Sequence, residues 1–176
     1  MIQDLRFPIG EFDRNFDVSP EVRSERMSMI SELPNRVRSA VAGLDETQLD
    51  TPYRPGGWTI RQTVHHIADS HSNALIRFKL TLTEEEPPTI RPYFEDRWAE
   101  LADCRLNVDV SITMLDAVHR RWEAVLNSMT EEDFQRKFHH PETGVWTLEG
   151  ALAQYAWHGL HHTAHITHLR TREGWS

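Results

Sequence analysis

The stretch Trp157-His158-Gly159-Leu160-His161-His162-Thr163-Ala164-His165-Ile166-Thr167-His168 holds five of the chain's 11 histidines. Apolar residues at three- and four-residue spacing predict an amphipathic helix here; they are Leu148, Ala151, Leu152, Tyr155, Ile166 and Leu169. At roughly 100° per residue, His158 and His162 fall on this apolar face, one turn apart. His165 lies at the edge of the face, and His161 and His168 lie further round the helix.

Two imidazoles four residues apart on a buried face predict half of a metal site, because imidazole is the commonest metal ligand. Solvated surface histidines would explain any single member, so the prediction depends on the pair. A catalytic metal usually has three protein ligands and one open position, so the third ligand should come from another helix. The segment His65-His66-Ile67-Ala68-Asp69-Ser70-His71 offers candidates. Periodicity alone favours His71, since His65 and His66 lie off the apolar stripe.

Composition excludes several classes of protein. The chain has 176 residues, a length that predicts a single domain, residues 1–176, with a core of its own. The formal charge of −8 and the lack of a basic stripe argue against nucleic-acid binding. Cys104 is the one cysteine, so a metal would be held by histidine and carboxylate. No apolar run suggests a membrane span or a signal peptide, which predicts a soluble, cytoplasmic protein without membrane contact.

Local signals predict the first two long helices. Ser19 followed by Pro20 is typical of a helix start, and this helix should end near residue 42. Pro34 lies inside it and is expected to kink or split it. Thr59 with Gln62 three residues later forms a capping box, which starts a second helix that should end near residue 83.

A long connection, residues 84–108, separates the second helix from a third that Asp109 is expected to cap. Thr147 should cap the last helix, and the segment His139-His140-Pro141 is expected to be a loop. No stretch alternates with period two, so strands should be absent or minor. The sequence therefore predicts an all-α four-helix bundle with a long connection between helices 2 and 3.

Several short motifs are spread over nearly the whole chain. They are Phe7-Pro8-Ile9-Gly10-Glu11, Gly56-Gly57-Trp58-Thr59 through residues 65–71, Ile90-Arg91-Pro92-Tyr93, residues 157–167 and Gly174-Trp175-Ser176. In this combination the chain resembles the DinB-like superfamily of metal-binding four-helix bundles. Within that superfamily it is similar to the YfiT-type branch of metal-dependent hydrolases. The resemblance implies the same fold and a metal-dependent activity.

The resemblance also implies a ligand set. In the family, a histidine eight residues after the tryptophan of the second helix joins two histidines four apart on the last helix. Carried over, these are His66, His158 and His162, with His71 as the alternative third ligand. Many relatives have Arg-Gly-Gln after the last ligand, where this chain has Thr163-Ala164-His165, so His165 becomes a candidate for a place near the metal.

Three further residues are candidates for supporting roles. Asp69, three residues after His66, could orient an imidazole by accepting a hydrogen bond from it; a plain surface carboxylate is the other interpretation. Arg91 and Tyr93, on the long connection, could contact a substrate carboxylate or simply stabilise the loop. The sequence identifies no general base, and it contains neither a Gly-x-Ser-x-Gly motif nor a glycine-rich phosphate loop.

Three imidazoles suit one divalent ion per chain, with Zn²⁺ as the first choice and Ni²⁺ as the alternative. Such an ion can activate water, which predicts a hydrolase acting on a small molecule. It can equally activate a thiol, so an S-transferase using a low-molecular-weight thiol such as bacillithiol is the alternative. A non-catalytic metal-binding bundle is the third hypothesis. Six tryptophans and the dimers common among related bundles predict a homodimer.

Overall fold

The computed structural model describes residues 4–175; residues 1–3 and Ser176, the end of the closing motif, lie outside the described residues. The elements are α1 Pro20–Val41, α2 Glu46–Leu49, α3 Ile60–Thr83, α4 Glu95–Trp98, a 3₁₀ turn Ala102–Arg105, α5 Val108–Leu126, α6 Glu131–Gln135, β1 Lys137–His140, β2 Gly144–Thr147 and α7 Leu148–Glu173. Among the described residues, no helix is both long and apolar enough to cross a bilayer.

The four long helices α1, α3, α5 and α7 pack into a bundle, which confirms the all-α prediction. α1 packs against α7 and α5, and α3 packs against the same two helices. Their inner faces bury two apolar clusters, one towards each end of the bundle. Trp122 and Phe78 are fully buried in the first, and Ile60 and Ile67 in the second. These clusters leave the polar side chains of the same faces enclosed between them.

The capping box predicted for α3 is present. The Thr59 hydroxyl accepts a hydrogen bond from the Gln62 backbone N–H at 3.1 Å, and the Gln62 side chain accepts one from the Thr59 N–H at 3.0 Å. Two backbone donors of the first turn are satisfied in this way, which defines where the helix begins. The helix ends at Thr83, as predicted. Every histidine of α3 therefore has a defined rotational position.

Ser19 caps α1, and Pro20 occupies its first turn, as predicted. Of the two expected effects of Pro34, splitting is wrong, because α1 is continuous from Pro20 to Val41, and a kink at Pro34 stays a prediction. Proline lacks an N–H and cannot bond to the carbonyl four residues earlier, which here is Ile30. Packing of the apolar face of α1 against α5 and α7 holds the helix together across this position.

Two boundaries differ from the sequence prediction. The cap of α5 is Asn107, whose side chain accepts a hydrogen bond from the Asp109 N–H, so Asp109 lies inside the first turn. His139 and His140 belong to β1 rather than to a loop. Cross-strand pairing explains this hairpin, since Phe138 is buried opposite Trp146 while His139 faces solvent. Each strand has only four residues, and Lys137–His140 contains a single apolar residue, so the alternation that would predict a strand is weak.

Candidate metal centre

His66 is positioned by the start of α3. The capping box at Thr59 places it in the second turn, on the side of the helix that faces α7. The loop ahead of the helix folds back so that the Trp58 ring lies 4.5 Å from the His66 ring, centroid to centroid. Trp58 is itself held by a hydrogen bond from its indole N–H to Asp96 at 3.1 Å. The Trp58 ring thereby restrains the His66 imidazole.

His158 and His162 are positioned by α7, one helical turn apart. The side chain of Thr147 caps this helix by accepting a hydrogen bond from Gly150 N–H, as predicted. The two imidazole rings lie 4.4 Å apart and roughly perpendicular to each other. Gly159, between them, faces the Leu33 side chain of α1 so closely that a Cβ would lie 2.5 Å from it. This close approach seats the histidine-bearing segment of α7 against α1.

The three histidines converge. One nitrogen from each of His66, His158 and His162 lies within 4.8 Å of the others, and the Nε2 atoms of His66 and His158 are 3.2 Å apart. Two nitrogens bound to one tetrahedral zinc, each at about 2.0–2.1 Å, would be about 3.3 Å apart. The donor set and its spacing therefore fit a divalent ion.

Burial keeps these imidazoles neutral. It lowers the pKa of His66 to about 4. For His158 and His162, burial and then the neighbouring histidines lower the pKa well below its ordinary value. A metal binds the neutral imidazole, so a histidine that need not first lose a proton is a better ligand at neutral pH. The cluster is thus in its ligand form across the physiological range.

His71, the alternative ligand, lies deeper in the bundle than the three-histidine group, between His158 and His119. Its Nε2 is 3.3 Å from His158 Nδ1, and its Nδ1 is 3.0 Å from His119 Nε2 on α5. Both ring nitrogens are engaged by other histidines, and the side chain is fully buried. His65, the other member of the α3 cluster, contacts Ser111 and the Leu106 carbonyl on the far side of the helix.

His165 forms a second group with His161 and His162. One nitrogen from each of the three lies within 4.8 Å of the others, and the Nε2 atoms of His161 and His165 are 3.0 Å apart. His165 also stacks on Tyr53 at 3.9 Å. The expectation that His161 lies away from the buried face is wrong, since only 7% of it is exposed. Part of the reason is the N-terminal segment, whose Phe7 ring approaches His161.

The three candidates for supporting roles lie in different surroundings. Tyr93 lines the cleft beside the histidines, where burial raises its pKa to about 12. Arg91 is exposed and does not line that cleft. Asp69 is half-buried, and burial followed by Asp103 raises the pKa of its carboxyl to about 6. The ring nitrogens of His65, His71 and His119 and the Nε2 atom of His66 are hydrogen-bonded to groups other than Asp69, so these bonds give Asp69 no orienting role.

The cleft above the histidines has a volume of about 470 Å³ and contains residues that the sequence did not single out. Arg77 donates a hydrogen bond to the Tyr155 hydroxyl at 2.8 Å, and both line the cleft. Among the described residues, no carboxylate forms an ion pair with Arg77. Arg77 follows His66 by eleven residues, three helical turns, which is a signal that could have located it.

His119 is the other residue that the sequence did not single out. It lies four residues after Leu115 and three before Trp122, within the apolar stripe of α5, and only 2% of it is exposed. A titratable side chain in an otherwise apolar stripe needs a partner. That pattern is the signal from which His119 could have been found.

Comparison with known proteins identifies the family of the chain. Residues 29–166 match the family described as the DinB superfamily. A Bacillus cereus protein named "Putative metal-dependent hydrolase" is 53% identical over 174 residues, covering 99% of this chain and all of the relative. The structure of YfiT from Bacillus subtilis, a four-helix bundle of unusual topology, aligns with a TM-score of 0.94 at 48% identity, covering 98% of this chain and 99% of YfiT.

A more distant solved structure shares the fold alone. A mycothiol-dependent maleylpyruvate isomerase, solved as a mutant, aligns with a TM-score of 0.61 at 14% identity, covering 79% of this chain and 60% of the isomerase.

Proposed function

The chain belongs to the DinB superfamily, and from this premise we propose that it is a metal-dependent hydrolase of a small molecule. His66, His158 and His162 are the ligands of one divalent ion per chain, zinc in the first place and nickel as the alternative. The substrate occupies the cleft above them. The homologous B. cereus protein, with a hydrolase name and full-length similarity, supports the assignment.

One observation carries this proposal: three neutral imidazole nitrogens meet at a cleft, and the group contains no fourth ligand. Structural zinc sites are normally closed by four protein ligands, whereas catalytic sites keep a position open for water or substrate. Within the described residues, this group consists of three histidines and no cysteine or carboxylate. That composition favours a catalytic site over a non-catalytic metal-binding bundle.

A bound divalent ion of this kind supplies an activated water, because it lowers the pKa of that water to about 7. The protein's own residues do the rest. Trp58 and Tyr93 line the cleft beside the histidines and reduce the access of bulk water to it. The Tyr155 hydroxyl accepts a hydrogen bond from Arg77 and is also hydrogen-bonded with Ser70, and these contacts hold it in place at the cleft, where it can contact a substrate oxygen.

Arg77 favours a substrate that carries an anionic group. Its guanidinium lines the cleft without a carboxylate partner among the described residues, and an arginine in that state binds carboxylates and other oxyanions through paired hydrogen bonds. This role replaces the one considered for Arg91. Once a substrate is known, Arg77→Met should raise KM by about 10–100-fold, while Arg91→Met should leave KM unchanged. Equal KM values in the two variants would contradict the assignment.

Transfer of a low-molecular-weight thiol stays the alternative prediction. The same three imidazoles could serve an ion that lowers the pKa of a thiol. The likeness to the mycothiol-dependent isomerase concerns the fold alone, so it does not decide between the two activities.

The test is an activity screen of metal-stripped protein reloaded with zinc or with nickel. Esters and amides bearing a carboxylate are assayed for hydrolysis, and pairs of a thiol and an electrophile are assayed for thiol consumption. We expect hydrolysis in the reloaded protein, loss in His66→Ala, and retention in His139→Ala, whose histidine is exposed on β1. Thiol consumption without hydrolysis would support the S-transferase, and no turnover of either kind would support the non-catalytic bundle.

The homodimer also stays a prediction. Val110 and Met114, one turn apart on α5, expose 54% and 41% of their surface, and apolar side chains exposed together suit a contact with another chain. Sedimentation at micromolar concentration should give a species of twice 20.6 kDa. A monomer under those conditions would remove the prediction.

A further inference from the structure

A chain of hydrogen bonds connects His158 with the backbone of α1. His158 Nδ1 lies 3.3 Å from His71 Nε2, and His71 Nδ1 lies 3.0 Å from His119 Nε2. His119 Nδ1 is hydrogen-bonded to the carbonyl oxygen of Ile30. The four groups come from α7, α3, α5 and α1 in turn. One continuous chain therefore crosses all four long helices of the bundle.

This chain is enclosed by the core. His71 is fully buried and His119 is 2% exposed. The Trp122 ring meets both of them edge-on, with centroids 5.9 Å from each, and the Tyr155 ring meets His71 edge-on at 5.4 Å. Water has no access to compete for the ring nitrogens, and burial in an apolar surrounding disfavours a charged imidazole. Each ring is therefore neutral, with one donor nitrogen and one acceptor nitrogen.

Pro34 explains why the Ile30 carbonyl is available. In a regular helix this oxygen accepts the N–H of the residue four positions later, and that residue is Pro34, which has no N–H. A buried carbonyl without a donor is costly, and His119 supplies the missing hydrogen bond. The proline that α1 tolerates thus provides the acceptor at which the chain ends.

The carbonyl sets the direction of the whole chain, because it can only accept. His119 must carry its proton on Nδ1, so its Nε2 is an acceptor. His71 must then donate from Nδ1, which makes its Nε2 an acceptor too. His158 must donate from Nδ1 in turn, and its Nε2 is left as a bare lone pair. That atom is the one 3.2 Å from His66 Nε2 in the three-histidine group.

We propose that His71 and His119 are positioning residues that hold His158 in the tautomer whose Nε2 lone pair points into the metal site. The role of this tautomer in metal binding rests on the proposed function, whereas the tautomer itself follows from the hydrogen bonds. Hydrogen-bond partners of a ligating histidine set its tautomer and ring orientation, and their loss typically costs 10–100-fold in metal affinity. In this protein two successive histidines, His71 and His119, support His158, and the last hydrogen bond is to a backbone carbonyl of α1.

The test compares two substitutions of His119. In His119→Gln the amide can donate to the Ile30 carbonyl and accept from His71, so the direction of the chain is kept. In His119→Leu neither is possible, and His71 Nδ1–H loses its acceptor. The lower-cost arrangement then reverses the chain, with His71 donating from Nε2 and His158 carrying its proton on Nε2.

The first readout is the tautomer of each histidine, measured by long-range ¹H–¹⁵N NMR on metal-free protein labelled with ¹⁵N-histidine. We expect Nδ1–H for His119, His71 and His158 in the unmodified protein and in His119→Gln, and Nε2–H for His158 in His119→Leu. A proton on Nε2 of His158 in the unmodified protein would overturn the proposal. That outcome does not require any variant to fold.

The second readout is Zn²⁺ affinity, measured by competition with a chromophoric chelator. His119→Leu should bind about 10–100-fold more weakly than the unmodified protein, and His119→Gln should recover most of that loss. Equal affinities in the two variants would overturn the proposal. A protein that binds Zn²⁺ but hydrolyses nothing would count against the proposed function alone, since both readouts would still report on the chain.

Discussion

His158 and His162 have the same chemistry on the same helix, one turn apart, yet they are held in different ways. Nδ1 of His158 is hydrogen-bonded to His71, whereas Nδ1 of His162 is buried without a hydrogen-bond partner. His162 is held instead by rings, with Trp58 stacked at 6.1 Å and His66 edge-on at 4.8 Å. His158 is oriented by hydrogen bonds and His162 by packing, so changes in their surroundings should affect these two proposed ligands differently.

The largest effect is expected from removing any one of the three proposed ligands. His66→Ala, His158→Ala and His162→Ala should each reduce metal content from about one equivalent per chain to background, because two imidazoles alone hold a divalent ion weakly. Elemental analysis of purified, untagged protein measures this. His139→Ala, which removes an exposed histidine, is the matched control. Full metal content in any of the three ligand variants would exclude that residue from the site.

A smaller effect should follow from removing the packing around His162. Trp58→Ala takes away the ring that contacts both His66 and His162, and we expect Zn²⁺ affinity to fall about tenfold, at the lower end for groups that orient a ligand. The tautomer of His158 should not change, because His71 still fixes it. Trp98→Ala, on the connection between α3 and α5 and packed on Tyr93, is the control. A changed His158 tautomer in Trp58→Ala would show that the two supports are not separate.

The pH dependence of stability in metal-free protein tests the chain of hydrogen bonds that connects His158 with α1. Burial lowers the pKa of His119 to about 4, below the value of about 6.5 for an unfolded histidine. Its stabilising contribution is therefore complete above pH 6.5 and is lost as the pH falls towards 4. Asp69, whose carboxyl pKa is raised to about 6, acts in the opposite direction over pH 3.8–6, but it is one group against several buried histidines.

Denaturant unfolding between pH 4.5 and 6.5 measures this contribution. The free energy of unfolding should fall with pH, and in His119→Gln the slope should be shallower by up to about 1.4 kcal/mol per pH unit, the value for one proton. The same slope in both proteins would mean that His119 is not a neutral buried group.

The smallest effect should come from the helix caps. Thr59→Ala and Thr147→Ala remove the N-cap hydrogen bonds of α3 and α7, and each should cost about 1 kcal/mol of stability. Zn²⁺ affinity should stay within about twofold, because His66 lies beyond the first turn of α3, His158 and His162 lie further along α7, and tertiary packing holds both helices in place. A tenfold loss of affinity in either variant would show that a cap positions a ligand directly.

Much of the fold was readable in the sequence. The capping box at Thr59 and the cap at Thr147 place the starts of the two ligand-bearing helices correctly, since a short polar motif acts locally. The prediction that Pro34 splits α1 is wrong because the continuity of α1 depends on packing against α5 and α7, which no local pattern contains. The prediction of a loop at His139 is wrong for a related reason, since the register of β1 is defined by its partner strand.

The site was readable in part. Spacing on α7 identified His158 and His162 as a pair on one face, and the resemblance, rather than periodicity, identified His66. His71 was favoured by periodicity because it is indeed on the buried stripe, but there it contacts His158 and His119 instead of joining the three-histidine group. Whether a buried histidine joins the three-histidine group or contacts it from the core depends on the distances between helices, and a single sequence does not show those distances.

The most direct test of the three-histidine site is the location of the metal in crystals. Diffraction data recorded on both sides of the zinc absorption edge, from protein loaded with one equivalent of Zn²⁺, place the ion without assumption. We predict one anomalous peak about 2.0–2.1 Å from a nitrogen of each of His66, His158 and His162. A peak between His161 and His165 instead, or no peak near α7, would contradict the assignment.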